Sequence, residues 1–319
     1  MKKITLMGSR ICLVFFIVST ITICQSSVDH AEASSTSDTI VWMTDTQYYA
    51  KDYPEIFFKM TEWIKENQVS HQIKYAVHTG DIIDQYQEKD QWKTAHKALK
   101  KLDHSQVPYG VLAGNHDVGH SRVDYEKYTH YFGEKRFKHQ KEFAGTDQNN
   151  RNHFDLVTVG DRDLLMLYLG WGMTEKDLKW AHSVLNDYPE RLVFLNVHEY
   201  LKADGTRSEQ GEFLFKELVA KHANINVVLC GHYHGANKKV DRFDDDGDGI
   251  PDRTVYQLLA DYQSGPMGGQ GYLRLLSIPS NSTEVTVKTY SPFLDQYNFY
   301  KDTELEKDQF TIHLPMSVK

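Results

Sequence analysis

The chain has 319 residues, 40% of them hydrophobic and 12% aromatic, and a formal charge of −8. This composition can fill a core, which excludes a mostly disordered chain. The negative balance excludes a protein that holds nucleic acid chiefly through a basic surface, and no nucleic-acid-binding surface is expected.

Lys2, Lys3 and Arg10 accompany an apolar run from Ile11 to Cys24, and Ala31-Glu32-Ala33 follows. That order predicts a cleaved export signal over residues 1–33. The run is shorter than the ~20 residues a spanning helix needs, so no membrane span is expected once the signal is removed. A retained anchor and a lipid attached at Cys24 are the alternatives; Ile23 is bulkier than the small residue such lipid sites place there. The expectation is a secreted or cell-surface protein. Residues 34–38 form a polar lead-in, and residues 39–319 a single domain. Cys12 and Cys24 fall in the leader, so Cys230 alone remains; it follows Val227-Val228-Leu229 and reads as a buried strand residue.

Along the domain, apolar runs predict strands at 39–44, 73–78, 107–112, 153–159, 163–169, 192–197 and 225–230. Helical spacing marks 54–66, 89–102, 174–186 and 209–222, with Thr174 as N-cap and Asp177 three residues on. The stretch 125–152 is aromatic and polar and supports no assignment. Beyond Val240 the pattern is mostly strand: 254–259, 272–277, 283–289 and 310–314. Alternating strand and helix followed by strand predicts an α/β layered sandwich.

Five of these strands end in metal-binding residue types: Asp45-Thr46-Gln47, Gly80-Asp81-Ile82-Ile83-Asp84, Gly114-Asn115-His116-Asp117, Asn196-Val197-His198 and Gly231-His232-Tyr233-His234. Ligand sites of α/β sheets gather at the carboxyl ends of strands. Carboxylate, amide and imidazole donors suit Mn, Fe or Zn better than Ca or Mg alone. Glycine before Asp81, Asn115 and His232 is expected to permit a sharp exit from each strand.

These motifs resemble those of the calcineurin-like metallophosphoesterases: D-x-H, G-D-x-x-D, G-N-H-D/E, a lone H and G-H-x-H. The resemblance covers about residues 40–234. It implies a four-layer α/β/β/α sandwich of two mixed sheets flanked by helices, and two divalent transition metal ions. It implies Asp81 as the bridging ligand, Asp45 and His234 at the first metal, and Asn115, His198 and His232 at the second. His116 would face the phosphate and protonate the leaving oxygen, oriented by Asp84 or Asp117. Gln47 stands where the family usually has His; its side-chain oxygen is a weaker ligand, which leaves open a looser first site, a preference for Mn, or contact with substrate. Asp84, where purple acid phosphatases have Tyr, argues against that subgroup.

The implied reaction is phosphate ester hydrolysis by a hydroxide bridging two metals about 3.5–4 Å apart. A small-molecule or polymeric phosphoester is the expected partner, with a phosphodiester or nucleotide favoured by the presence of His116, and a monomer is expected. The alternatives are a phosphomonoesterase or protein phosphatase, and a non-catalytic cell-surface binding protein on the same fold.

A separate acidic loop follows. Asp244, Asp246, Asp248 and Asp252 occupy positions 1, 3, 5 and 9 of a calcium-loop pattern, with Gly249 at 6 and Ile250 at 7. Position 12 is Val255 instead of Glu, and strands flank the loop, so the alternatives are a weak structural Ca²⁺ site and an acidic surface turn. His78 is expected in the core or behind the ligands, His120 and His130 at the surface with lining of the pocket as the alternative, and Trp171 in core packing with a place beside the site as the alternative.

Overall fold

The computed structural model describes residue 1, residues 37–300 and residues 304–316. The expected signal, Cys12 and Cys24 within it, and residues 34–36 of the lead-in otherwise lie outside the described residues. The strands are β1 (Ser37–Met43), β2 (Ile73–His78), β3 (Tyr109–Val111), β4 (Phe143–Asp147), β5 (Asn152–Val159), β6 (Arg162–Leu169), β7 (Leu192–Val197), β8 (Ile225–Cys230), β9 (Gly235–Phe243), β10 (Arg253–Asp261), β11 (Leu273–Pro279), β12 (Glu284–Ser291), β13 (Gln296–Tyr297) and β14 (Gln309–His313).

Among the described residues these strands form two seven-stranded sheets. The first runs β13-β12-β11-β1-β2-β3, with β14 also on β12; the second runs β4-β5-β6-β7-β8-β10-β9. Within the first, β1, β2 and β3 are parallel. Within the second, β6, β7, β8 and β10 are parallel. The remaining pairings are antiparallel, so both sheets are mixed.

Strand periodicity divides the side chains between layers. Ile40 and Trp42 of β1 point between the sheets and meet Met166, Phe194 and Leu229. Val41 and Met43 point outward and pack under helices Pro54–Glu66 and Lys89–Asp103 through Ile56, Met60, Trp92 and Leu99. Outside the second sheet, Leu165, Leu195 and Val228 meet Leu178 and Leu185 of helix Glu175–Asp187, and Leu214 and Leu218. The result is helix, sheet, sheet, helix. Thr174 and Asp177 close the expected capping box.

Four expectations change. β1 begins at Ser37, paired with Pro279, so the end of the lead-in is strand. The unassigned stretch holds helices Glu126–Phe132 and Glu134–Phe137 and edge strand β4. The helix at 209 is α-helical over Glu209–Leu214 and continues as a π-helical turn, Phe215–Val219. β9 carries almost no apolar pattern, because it is an edge strand paired only to β10 and largely wetted. No helix among the described residues is long and apolar enough to cross a membrane.

Candidate metal centre

The two sheets present their parallel strand ends to one place. β1, β2 and β3 lead into Asp45, Asp81 and Asn115; β7 and β8 lead into His198 and His232. Three of these residues hold left-handed backbone: Asp45 at φ 47°, Asp81 at φ 51° and His232 at φ 72°. Such conformations are unfavourable for side-chain-bearing residues and gather at functional sites.

The glycines act in two ways. Gly80 has φ 98°, the sharp exit expected. Gly114 and Gly231 do not have positive φ; a Cβ on Gly114 would strike the Asp81 carboxylate, and one on Gly231 the Asp45 carboxylate. Close approach, rather than turn geometry, requires glycine at these two positions.

His198 is the best-defined donor. Its Nδ1–H donates to the Thr79 carbonyl at 2.9 Å. That aims Nε2 at Asn115 Oδ1, 3.0 Å away, and at Asp81 Oδ2, 3.2 Å away. Burial lowers the basicity of His198, but the Asp81 carboxylate outweighs it, and the pKa is carried to about 10. Asp81 moves the other way: burial raises its pKa, while His198 and His116 bring it net below the usual value. The pocket therefore favours a positive charge among these three atoms. Separations of 3.0 and 3.2 Å match neighbouring ligands on one ion, since bonds of ~2.0–2.2 Å at right angles place donors about 3 Å apart. Asp81, His198 and His232 each offer a donor atom within 4.8 Å of the others.

Asp45 is buried and accepts from the Thr44 hydroxyl and the His232 amide. Burial first, then the charge of Asp261, raises its pKa well above the usual range. Gln47 is 1% exposed and its Oε1 has no hydrogen-bond partner. An orphaned buried amide oxygen carries a desolvation penalty unless a cation or donor meets it. This observation and the donor set around His198 fit a metal centre. His234 is exposed, with Nε2 2.8 Å from the Gln263 amide.

His116 donates from Nδ1 to the Asp84 backbone carbonyl at 2.6 Å. The Asp84 carboxylate is 3.7 Å from the same nitrogen and pairs with Lys51 at 2.8 Å. Nε2 of His116 lies 4.0 Å from Asp81 Oδ2, on the open side of the centre. Asp117 has a different place. It is fully buried, and its oxygens accept from the backbone N–H of Ile82, Ile83 and Gly114 at 2.8–3.1 Å. Its contacts tie the Asp81 loop to the Asn115 loop, whereas the His116 ring is hydrogen-bonded to Asp84.

His78 is fully buried and neutral; burial pushes its pKa down to about 3. Its Nδ1 accepts from the Gly80 N–H, so Nε2–H donates to Thr46 Oγ1 at 2.9 Å. Trp171 leans on His232 and His198 with ring centres 5.4 and 5.8 Å away. His120, exposed as expected, touches the site: its ring is 4.5 Å from His116, and Nδ1 is 3.0 Å from the Asn115 amide. His130 is exposed and packs on Tyr131. Asp261 and Gln263 lie outside every motif yet are buried beside Asp45 and His234. Strand β10 ends at Asp261, which its antiparallel pairing with β9 sets opposite Gly235, next to His234.

The acidic loop stands apart and is exposed, with Asp244, Asp246 and Asp252 oxygens within 4.8 Å of one another. Its carboxylates accept N–H groups of the loop itself, Asp244 from Gly247 and Gly249, Asp248 from Ile250, and Asp252 from Asp245.

A layered sandwich with carboxylate, amide and imidazole donors at its strand ends defines a class of metal-dependent phosphoester hydrolases. The chain belongs to the calcineurin-like phosphoesterase family, whose model matches residues 38–236. It is 51% identical over 279 residues to the uncharacterized protein YvnB of Bacillus subtilis strain 168, covering 87% of this chain and 22% of that protein. It is 24% identical over 176 residues to a probable glycerophosphodiester phosphodiesterase, GpdQ, of Arcobacter nitrofigilis, covering 50% of this chain and 56% of the relative. The chain thus spans between about a fifth and little over half of these relatives' lengths. Among solved structures, purple acid phosphatase PPD1 of yellow lupin superposes with a TM-score of 0.56 at 12% identity, covering 88% of this chain and 54% of that one. GAP50, the anchor in the inner membrane complex of Plasmodium, gives 0.52 at 14% identity over 89% and 90%. At such identity these two likenesses establish the shared fold.

Proposed function

We propose that this chain is an exported phosphodiester hydrolase with a two-metal centre, holding one ion through Asp45, Gln47, Asp81 and His234 and the other through Asp81, Asn115, His198 and His232. The observation that carries the reading is that His198 Nε2 meets Asn115 Oδ1 at 3.0 Å and Asp81 Oδ2 at 3.2 Å, with His232 at hand. Divalent ions held there neutralise phosphate charge and acidify a water.

The chain's own groups supply the rest. Asp84 fixes the Nδ1–H of His116 through its carbonyl, so Nε2 is the atom that carries a proton to the departing oxygen. Such transfer contributes ~10²–10⁴-fold when the leaving group is a poor one. Asp117 holds the two ligand loops in register through the backbone. A cleft lined by Trp171, Gly172, Met173, His198, Glu199 and Gln210 adjoins the centre. An ester substituent of the substrate has somewhere to lie there. The name of the Arcobacter relative agrees with a diester substrate.

The metal is Mn, Fe or Zn. The Asp244–Asp252 loop, through Asp244, Asp246, Asp248, Ile250 and Asp252, is a weak structural calcium site, read by calcium titration calorimetry. Export through residues 1–33 is read by the N-terminus of the mature protein, and the monomer by its mass in solution.

The test of function is hydrolysis of bis-p-nitrophenyl phosphate against the monoester with Mn²⁺, Fe²⁺ or Zn²⁺ supplied in turn, and Asp81→Ala as control. Diester turnover lost in the variant is expected. No turnover of either ester with any metal would replace the enzyme by a binding protein on the same fold.

A further inference from the structure

We propose that His120 is a positioning residue of the metal centre: its Nδ1 holds the Asn115 amide so that the oxygen, and not the nitrogen, is presented to an ion. The inference rests on the two-metal reading, in which Asn115 is a ligand. It assigns a role to a side chain beyond the Gly114-Asn115-His116-Asp117 motif.

An amide has an oxygen end that accepts and a nitrogen end that only donates, and the nitrogen end cannot bind a cation. The neighbours of Asn115 decide which end faces the centre. His198 donates from Nδ1 to the Thr79 carbonyl at 2.9 Å. Its Nε2 lies 3.2 Å from the ionised Asp81 carboxylate, which only accepts. Both nitrogens of His198 are therefore donors, and the Asn115 atom 3.0 Å from Nε2 is the oxygen, Oδ1. The other end of the amide, Nδ2, lies 3.0 Å from His120 Nδ1. That nitrogen of His120 is the acceptor, and the proton of the ring sits on Nε2.

Of these two holds on the amide, only the second is compatible with an ion. An imidazole nitrogen that binds a metal carries no proton. His198 Nε2 then has nothing to donate to Oδ1, whereas the bond to His120 lies at the opposite end of the amide. The backbone keeps the acceptor in place. The His120 N–H donates to the Asn115 carbonyl at 2.7 Å, which closes a turn between the two residues. His120 has φ 50° and follows Gly119 at φ 76°. Histidine, asparagine and aspartate are the side-chain-bearing residues enriched in that left-handed region. The His120 ring also stands against His116, with centres 4.5 Å apart at 63°. The test must therefore separate the acceptor atom from the ring.

His120→Phe keeps a ring and loses the acceptor. His120→Ala loses both. His120→Asn loses the ring but carries an oxygen on Cγ, where histidine carries Nδ1, and asparagine tolerates the left-handed backbone. Mn²⁺ stoichiometry and affinity of the metal-stripped full chain are measured by calorimetry for wild type and each variant, and urea unfolding in chelator checks that each folds. Wild type is expected to hold two ions. His120→Phe and His120→Ala are expected to bind one of them roughly 10–100-fold more weakly, the usual effect of removing a hydrogen bond behind a ligand. His120→Asn is expected to bind both as wild type does. Wild-type affinity for both ions in His120→Phe and His120→Ala would overturn the inference, as would equal weakening in all three variants. Failure of wild type to hold two ions would instead sink the two-metal reading itself, so the failures are separable.

Discussion

Asp117 joins the two loops that carry Asp81 and Asn115, and its removal tests whether the backbone arrangement depends on one carboxylate. Its oxygens serve three backbone donors: Ile82 N–H at 2.9 and 3.1 Å, Ile83 N–H at 3.0 Å and Gly114 N–H at 2.8 Å. Each donor left buried and unpaired costs ~1–3 kcal/mol. Asp117→Ala orphans all three; a water entering the vacated space recovers part, so the expected loss is about 3–5 kcal/mol. Asp117→Asn keeps one oxygen, which Ile82 and Ile83 share, and sets an amide NH₂ against Gly114 N–H. Its expected loss is about 1–3 kcal/mol. The assay is urea unfolding in chelator, followed by far-ultraviolet circular dichroism, so that metal binding does not enter. Metal content of the folded variant should fall too, because the loops lose their register. An Asp117→Ala protein within about 1 kcal/mol of wild type and with full metal content would refute the reasoning.

Further consequences follow from other side chains. His153 is 1% exposed, lies 4.1 Å from the Tyr168 ring at 8°, and has no partner for either nitrogen; burial pushes its pKa to about 3. A depressed histidine binds fewer protons folded than unfolded between pH 3 and 6.5, so its contribution to stability falls as pH falls through that window. His153→Phe removes the slope, and its advantage over wild type should grow by about 2 kcal/mol from pH 7 to pH 5 in urea midpoints; a pH-independent difference would contradict this. His116→Ala should lower turnover of alkyl diesters by roughly 10²–10⁴-fold and of p-nitrophenyl diesters far less, since that leaving group needs no proton. Equal losses would remove His116 from the acid role. Trp171→Ala should raise KM for aryl diesters about tenfold with metal content unchanged, and loss of metal instead would assign the indole to the centre's structure. Arg162 is fully buried on the carbonyls of Gly160, Pro279, Ser282 and Pro315. Arg162→Ala should destabilise the fold by about 3–5 kcal/mol in the same unfolding assay.

Much of the centre was legible locally. A strand buried on both faces reads as an apolar run, and a run that stops at a carboxylate or imidazole marks both a strand end and a donor. Thr174 and Asp177 were legible for the same reason, since a capping box closes within four residues. The stretch 125–152 was not, because its short helices and β4 carry no repeated apolar spacing and take their conformation from neighbours such as the Asn150 amide donating to the Phe132 carbonyl. The resemblance named Asp84 or Asp117 as partner of His116 without choosing between them; in the fold the Asp117 carboxylate accepts from three backbone N–H groups.

The sequence by itself determined most of the element types and which residues close the parallel strands, because those follow from short-range periodicity and residue chemistry. Tertiary structure alone decided which ends meet. The antiparallel pairing of β10 with β9 sets Asp261 opposite Gly235 and so beside His234, whereas Asp45 reaches the His232 amide across 187 residues. No local pattern encodes such proximity, since it depends on how two sheets stack and where their parallel edges coincide.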